Sequence, residues 1–222
     1  PHQEVAALVA RYRAAAEPFA ARVIGTMSGP ALRETGRSGE SVLGNLIADA
    51  QLAATRASGA QIAFMNQGGV RADIVPAADG TVTFGRIYAA QPFGNSLVVK
   101  SFTGRQIRAL LEQQFASGSN TAESPNVLLP SAGFTYAYDL SRPAGQRIID
   151  PRLGGVPLED DRSYRVTMSN FLASGGDNFT LFREGTEQTG GPQDLDVLEA
   201  YFTANPRLAP PATDRIRNLT PQ

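Results

Sequence analysis

The chain has 222 residues, of which 42% are hydrophobic and 18% are charged, and this composition is too apolar for a disordered segment. The formal net charge of −1 lacks the basic excess that binding to a phosphate backbone needs, so we expect no nucleic acid polymer as a partner. No run of residues approaches the roughly 18 consecutive apolar residues of a membrane span, so we expect no membrane-spanning helix.

The supply of metal-binding and nucleophile-activating side chains is unusually small. The chain contains no Cys and a single His, at position 2. The usual zinc sites of thiolates and imidazoles therefore cannot be assembled, nor can a Ser-His or Cys-His nucleophile pair on a rigid element. A carboxylate site for magnesium or calcium stays open, although no EF-hand-like spacing of Asp is present. We expect no catalytic residue and no metal ligand in this segment.

The first part of the chain predicts two helices and a short strand. Residues 4–21 predict a helix, interrupted by Pro18, that serves as a connector. A second helix ends near Gly59, and its buried face carries Leu43, Leu46, Ile47, Ala50 and Ala54. Residues 61–65 predict a strand that runs into a glycine turn at 68–69, and sites often lie at such turns in layered α/β folds.

The remaining part is richer in strands. Thr103 and Gln106 predict a capping box for a helix whose buried face carries Ile107, Leu110 and Leu111. Residues 116–131 predict a long polar connection, and Asp194 is predicted to cap a last helix over 195–202. The predicted strands are 81–84, 96–102, 134–140, 164–168 and one that begins at Ile148 and enters a hairpin at Gly154-Gly155.

Two phenylalanines lie at loop edges, where a large ring is not needed to fill a core. Phe93 stands between Pro92 and Gly94, and Phe171 precedes a second glycine pair at 175–176. Two facing rings can sandwich a flat base, and each stack is worth about 1–3 kcal/mol. Packing in the core is the alternative for either ring.

Polar side chains near the same glycines are further candidates. Arg37 and Arg71 can bind phosphate or carboxylate oxygens, while a solvated or salt-bridged arginine is the alternative. Asp177 can accept hydrogen bonds from sugar hydroxyls and Asn66 can contact a base edge, although both residue types also cap turns. Neither glycine pair matches a dinucleotide fingerprint or a phosphate loop.

Five segments occur in the order found in a known family. They are residues 39–50 (GESVLGNLIADA), 66–71 (NQGGVR), 91–95 (QPFGN), 138–142 (YDLSR) and 170–177 (NFLASGGD). Together they resemble the C-terminal domain of the 5'-nucleotidase and UDP-sugar hydrolase family, from about residue 22 to 219. The resemblance implies a single layered domain of the α+β class with mixed β-sheets over 22–222, preceded by the connector helix at 1–21.

The resemblance also implies a function. In that family an N-terminal metallophosphoesterase domain holds two divalent metal ions and the catalytic groups, and the C-terminal domain binds the nucleoside part of the substrate. The expected ligand is a nucleoside or nucleotide, the expected partner is that N-terminal domain, and the expected location is periplasmic or secreted. The parent chain is expected to hydrolyse nucleoside phosphates to nucleoside and phosphate, while this segment alone is expected to be inactive.

Residues that would contact the nucleoside follow from the matching motifs. Phe93 and Phe171 resemble the two rings that clamp the base. Asp177 resembles the carboxylate that holds the ribose hydroxyls, and Asn66 resembles a residue that contacts the base. Asn95, which follows the first clamp motif, is a further candidate near the base.

Residues that would contact the phosphates are less sharply defined. Arg71 resembles an arginine directed at the phosphates, and Arg37 resembles a second one, with Arg33 as a rival. Gln67 stands where a third glycine is common in the family, so its larger side chain can reshape the approach to the ligand.

Alternative functions on the same scaffold are UDP-sugar hydrolase, cyclic phosphodiesterase, nucleotide pyrophosphatase or thiosulfohydrolase activity, or nucleoside binding without catalysis.

Overall fold

The computed structural model describes residues 2–221, in which helices and strands alternate irregularly. The helices are α1 (Gln3–Ala20), α2 (Val42–Thr55), α3 (Phe84–Ala90), α4 (Gly104–Glu112), α5 (Asn170–Ala173) and α6 (Asp194–Ala204). The strands are β1 (Val23–Thr26), β2 (Ile62–Asn66), β3 (Thr81–Thr83), β4 (Ser96–Thr103), β5 (Leu128–Pro130), β6 (Phe134–Tyr138), β7 (Ile148–Leu153), β8 (Val156–Pro157), β9 (Ser163–Ser169), β10 (Thr186–Gln193) and β11 (Ile216–Asn218).

The strands of the described residues form a five-stranded sheet, a four-stranded sheet and a two-stranded ribbon. The five-stranded sheet has the order β10-β4-β9-β2-β5, in which β2 and β9 are parallel and the other neighbours are antiparallel. The four-stranded sheet has the order β11-β6-β7-β8, with β11 and β6 parallel. β1 and β3 form the ribbon. The predicted class, a layered α and β fold with mixed sheets, is confirmed.

The inner strands of the five-stranded sheet are largely buried on both faces, whereas the edge strand β10 is exposed. Along β2 all five residues are buried, and successive side chains enter different hydrophobic clusters. Met65 packs with residues of α2 and α6, whereas Ile62 and Phe64 pack with residues of α4 and β6. A strand covered on both sides reads as a continuous apolar run, which is what the sequence shows at this point.

A buried ion pair links the C-terminal part of the chain to α2. Arg215 donates to both carboxylate oxygens of Asp49, at 2.7 and 2.8 Å, and to the carbonyl oxygen of Pro130 at 2.8 Å. The two side chains are only 8% and 13% exposed. Because the guanidinium and the carboxylate satisfy each other, the pair holds β11 and β5 beside the helix without leaving a buried charge unpaired.

Several predicted elements are confirmed. The capping box opens α4: the Thr103 N–H donates to the Gln106 side chain at 2.9 Å, and the Gln106 N–H donates to the Thr103 hydroxyl at 3.2 Å. The glycine pair at 154–155 connects β7 and β8 as a hairpin. The second predicted helix corresponds to α2, and Gly59 follows its short 3₁₀ extension in the left-handed conformation.

Other predictions of local structure are wrong. α1 continues through Pro18, which lies in the last turn, where one lost backbone hydrogen bond leaves a carbonyl that water can satisfy. Phe84 begins α3 instead of ending a strand, and residues 116–131 include β5. Asp194 is the first residue of α6 and not its cap, a position that Gln193 occupies.

Candidate functional site

A cavity of about 270 Å³ lies beyond the ends of β2 and β9. The two strands are parallel neighbours, so their carboxyl ends meet at the same edge of the sheet, the usual place for a ligand in such folds. Asn66 ends β2, and Ser169 ends β9. Six of the seven predicted site residues line this cavity: Asn66, Arg71, Phe93, Asn95, Phe171 and Asp177.

Both predicted clamp rings border the cavity and remain open to solvent. Phe93 is 53% exposed and Phe171 is 43% exposed, so the alternative of core packing is wrong for both. The guanidinium carbon of Arg71 lies 5.8 Å from the centre of the Phe93 ring. Half-exposed rings at a cavity entrance are free to stack on a flat ligand, because no core contact holds them elsewhere.

Local structure explains how Phe171 reaches the cavity. It is the second residue of α5, a single turn that begins where the Ser169 hydroxyl accepts a hydrogen bond from the Leu172 N–H at 3.2 Å. The ring then lies over Gly176, where a Cβ atom would approach it to 2.5 Å. The second glycine of this pair is therefore required by the position of the ring.

The Asn66 and Asp177 side chains are hydrogen-bonded to each other in the cavity wall. Asn66 is buried, and its amide nitrogen donates to a carboxylate oxygen of Asp177 at 2.7 Å. Asn66 precedes a 3₁₀ turn without capping it through its side chain, so turn capping does not explain this residue. A carboxylate has about four acceptor positions, and Asp177 therefore retains capacity to bind further donors.

The backbone at Asp177 is held in an unusual conformation. Asp177 and Asn178 have φ angles of +54° and +64°, in the left-handed region that non-glycine residues seldom adopt. Buried Asn120 donates to the Asp177 carbonyl oxygen at 2.9 Å and to that of Gln113 at 3.1 Å. The Ser117 hydroxyl donates to the Asn178 carbonyl oxygen at 2.6 Å. The connection before β5 thus fixes the direction of the Asp177 side chain.

A second cavity, of about 200 Å³, shares a wall with the first. Gly68 and Arg71 line both, and Arg33 and Gln67 line only the second. Arg33 donates to the carbonyl oxygen of Arg71 at 3.0 Å. Gln67 donates to the carbonyl oxygen of Gly39 at 2.9 Å, so its side chain is tied to the loop before α2. Two guanidinium groups at one small polar cavity favour an anionic ligand.

Arg37 lies elsewhere. It is absent from the residues that line either cavity, and its guanidinium donates to the carbonyl oxygen of Thr220 at 2.6 Å. The structure therefore brings Arg33, the rival candidate, into contact with Arg71 and leaves Arg37 at the C-terminal segment.

Asn95 reaches the cavity together with a buried carboxylate. Its amide nitrogen donates to Asp194 at 3.2 Å, and the Asp194 N–H donates to the Asn95 carbonyl oxygen at 2.8 Å. Burial raises the pKa of the Asp194 carboxyl above its ordinary value, and the hydrogen bonds from Asn95 and Leu195 oppose this rise.

Five cavity residues outside the glycine turn were not predicted as site residues from the sequence. The cavity lining includes Gln51, Met65, Gln91, Ser169 and Asp194, and all five are buried. The only local signal was the position of Gln91 beside Pro92 and Phe93. Gln51 lies within an apolar helix, so nothing in its neighbourhood marks it as part of a site.

Among residues 2–221 no group of three or more His, Cys, Asp or Glu side chains is close enough to hold a metal ion. Within the same residues no helix is both long and apolar enough to cross a membrane.

A family model described as "5'-nucleotidase, C-terminal domain" matches residues 23–184, which is most of the chain. The chain belongs to this family. Members of the 5'-nucleotidase C-terminal domain family share the fold described above. The 5'-nucleotidase precursor of Thermus thermophilus superposes with a TM-score of 0.82 at 36% sequence identity, over 95% of this chain and 42% of that chain.

Curated relatives carry the same domain within longer proteins. The trifunctional nucleotide phosphoesterase protein YfkN of Bacillus subtilis is 38% identical over 196 residues, which are 84% of this chain and 13% of that protein. Cell wall protein Lmo0130 of Listeria monocytogenes is 33% identical over 172 residues, which are 73% of this chain and 21% of that protein. This 5'-nucleotidase C-terminal domain therefore spans less than a quarter of the length of either relative.

Proposed function

We propose that this chain binds the nucleoside part of a nucleotide, with the base stacked between the rings of Phe93 and Phe171. The observation that carries the proposal is the convergence of six residues, two from each of three sequence motifs, on one cavity. Asp177 accepts hydrogen bonds from the ribose hydroxyls, and Asn66 contacts the base edge. Asn95 supports the base end of the cavity through its hydrogen bond to Asp194.

The expected affinity for a nucleoside is modest. Two stacks of about 1–3 kcal/mol each supply roughly 2–6 kcal/mol, whereas association itself costs at least about 4 kcal/mol. Hydrogen bonds to the ribose and the base supply the difference. We expect dissociation constants in the millimolar to high micromolar range.

The second cavity is the proposed position of the phosphate groups. Arg71 contributes to both cavities, so a nucleotide whose base occupies the first cavity can extend its phosphates towards Arg33 and Arg71. A planar guanidinium can bind two phosphate oxygens at once, which suits this role. The geometry favours Arg33 over Arg37 as the second phosphate residue, and a role for Arg37 stays a prediction from sequence.

In the complete protein this domain would position a nucleoside phosphate for hydrolysis. The metal ions of the family belong to its N-terminal domain, which supplies Lewis-acid chemistry when they are bound. The residues of the present chain would hold the base, ribose and phosphate, and α1 would connect the two domains. An extracellular or periplasmic location is proposed because the relatives include a cell wall protein and a 5'-nucleotidase precursor.

Calorimetric titration with adenosine, AMP and inorganic phosphate tests the proposal. Wild type should bind adenosine saturably, and Phe93→Ala and Phe171→Ala should each weaken binding at least fivefold, since each removes a stack of about 1–3 kcal/mol. Phe19→Ala is the matched control, because Phe19 is an exposed ring on α1, away from the cavity. Equal binding in wild type and both clamp variants, or no binding at millimolar adenosine, would refute the proposal.

A further inference from the structure

The cavity contains buried polar groups for which the proposed clamp gives no role. Gln51 and Gln91 line the cavity and are only 1% and 2% exposed. The side-chain oxygen of each has no hydrogen-bond partner among the described residues. Buried carboxamide oxygens are normally satisfied, and two unsatisfied ones in the same cavity wall indicate a missing partner.

The contacts of the two amide nitrogens identify the missing partner as a donor. Gln51 directs its nitrogen at the sulfur of Met65, at 3.5 Å, and Gln91 directs its nitrogen at the same sulfur, at 3.9 Å. A thioether sulfur can only accept, so this arrangement turns the amide donors towards Met65. Each amide nitrogen thus has a partner, whereas the two carboxamide oxygens have none among the described residues.

Asp194 adds a third acceptor to the same part of the cavity. The buried carboxylate accepts hydrogen bonds from the side chain of Asn95 and from the N–H of Leu195. These two bonds leave further lone pairs on the carboxylate oxygens. Gln51, Gln91 and Asp194 therefore form an inner wall of the cavity that is rich in acceptors. The two glutamine oxygens are sealed from solvent in this structure, and rotation about the terminal side-chain torsion would bring them to the cavity surface.

We propose that this inner wall selects bases that carry an exocyclic amino group, as adenine, cytosine and guanine do. The inference rests on the proposed function, since it requires a base between Phe93 and Phe171. An amino group brings two N–H donors to one edge of the base, and the terminal torsion of a glutamine is broad enough to turn its oxygen towards that edge. A base without such donors leaves the acceptors unpaired and binds less tightly.

Adenosine and purine riboside are a matched pair of ligands for the test, because they differ only in the amino group. Calorimetric titration of wild type should show adenosine binding about tenfold more tightly than purine riboside. Gln51→Met and Gln91→Met replace each carboxamide by an apolar side chain of similar length. The double variant should reduce the ratio of the two affinities to less than about threefold. Gln188→Met, at an exposed glutamine on β10, is the control and should keep the wild-type ratio.

The outcomes separate this inference from the proposed function. Equal affinities for the two ligands in wild type, tighter binding of inosine than of adenosine, or a full tenfold ratio in the double variant would each overturn the inference. In each of these three cases, a loss of adenosine binding in Phe93→Ala would still support the proposed clamp. If neither ligand binds, or if Phe93→Ala binds adenosine as wild type does, the proposed function itself fails.

Discussion

Asn120 is the side chain that fixes the backbone of Asp177, and its removal has a measurable cost. Asn120→Ala deletes the hydrogen bonds to the carbonyl oxygens of Asp177, at 2.9 Å, and Gln113, at 3.1 Å. At a net value of roughly 0.5–1.5 kcal/mol each, the free energy of unfolding should fall by about 1–3 kcal/mol. For a chain of this size the melting temperature should fall by roughly 2–12 °C.

The same variant should change how the ribose is recognised. Without Asn120 the left-handed backbone at Asp177 can relax, and we expect its carboxylate to move away from the proposed ribose position. A hydrogen bond to a charged group is worth about 1.5–3 kcal/mol, so wild type should bind adenosine at least about tenfold more tightly than 2',3'-dideoxyadenosine. In Asn120→Ala this ratio, measured by calorimetric titration, should approach one.

Ser124 supplies a control variant for Asn120→Ala. Ser124→Ala, at an exposed position in the same connection, should leave both the melting temperature and the affinity ratio unchanged. If Asn120→Ala lowers the melting temperature but keeps the ratio, Asn120 stabilises the fold without positioning Asp177, and the reasoning is wrong.

Three further predictions rest on other contacts. Arg215→Met leaves a buried carboxylate unpaired and should lower the free energy of unfolding in urea by about 3–5 kcal/mol, against less than about 0.5 kcal/mol for exposed Arg105→Met. Gly176→Ala brings a methyl group within 2.5 Å of the Phe171 ring, so adenosine titration should show a loss similar to that of Phe171→Ala; unchanged affinity would contradict the ring's role. Burial raises the pKa of Asp194, so the folded chain retains this proton at pH values where the unfolded chain has lost it. The contribution of this carboxyl to the free energy of unfolding should therefore fall as the pH rises from the ordinary aspartate range through the raised pKa. Asp194→Asn should remove this pH dependence when unfolding is measured across that range.

The elements predicted best are those with a strong local pattern. The apolar run of β2, the capping box of α4 and the glycine hairpin between β7 and β8 each contain their own signal. β10 contains none: its residues, TEQTGGPQ, are polar and rich in glycine, and they form a strand because they pair with β4 at the edge of the sheet. β11 is three residues long and depends on a parallel partner far away in sequence.

The residues of the candidate site likewise differ in how far the sequence predicts them. Phe93, Phe171 and Asp177 were accessible from sequence because they lie beside glycines or prolines in short motifs. Gln51 was not, since a glutamine on an apolar helix resembles a solvent-facing position until the fold buries it. The choice between Arg33 and Arg37 as the neighbour of Arg71 also depends on tertiary structure, because only the folded chain shows that Arg37 contacts Thr220.

The shared wall between the two cavities predicts that ligands bound in them would influence each other. Gly68 and Arg71 belong to one short turn, and Gly69 between them lacks room for a side chain because a Cβ atom would lie 2.4 Å from the Met65 methyl carbon. A ligand that shifts this turn in one cavity would change the shape of the other. We therefore expect occupation of either cavity to alter the affinity of the other, and thermodynamic linkage then requires the same factor in both directions.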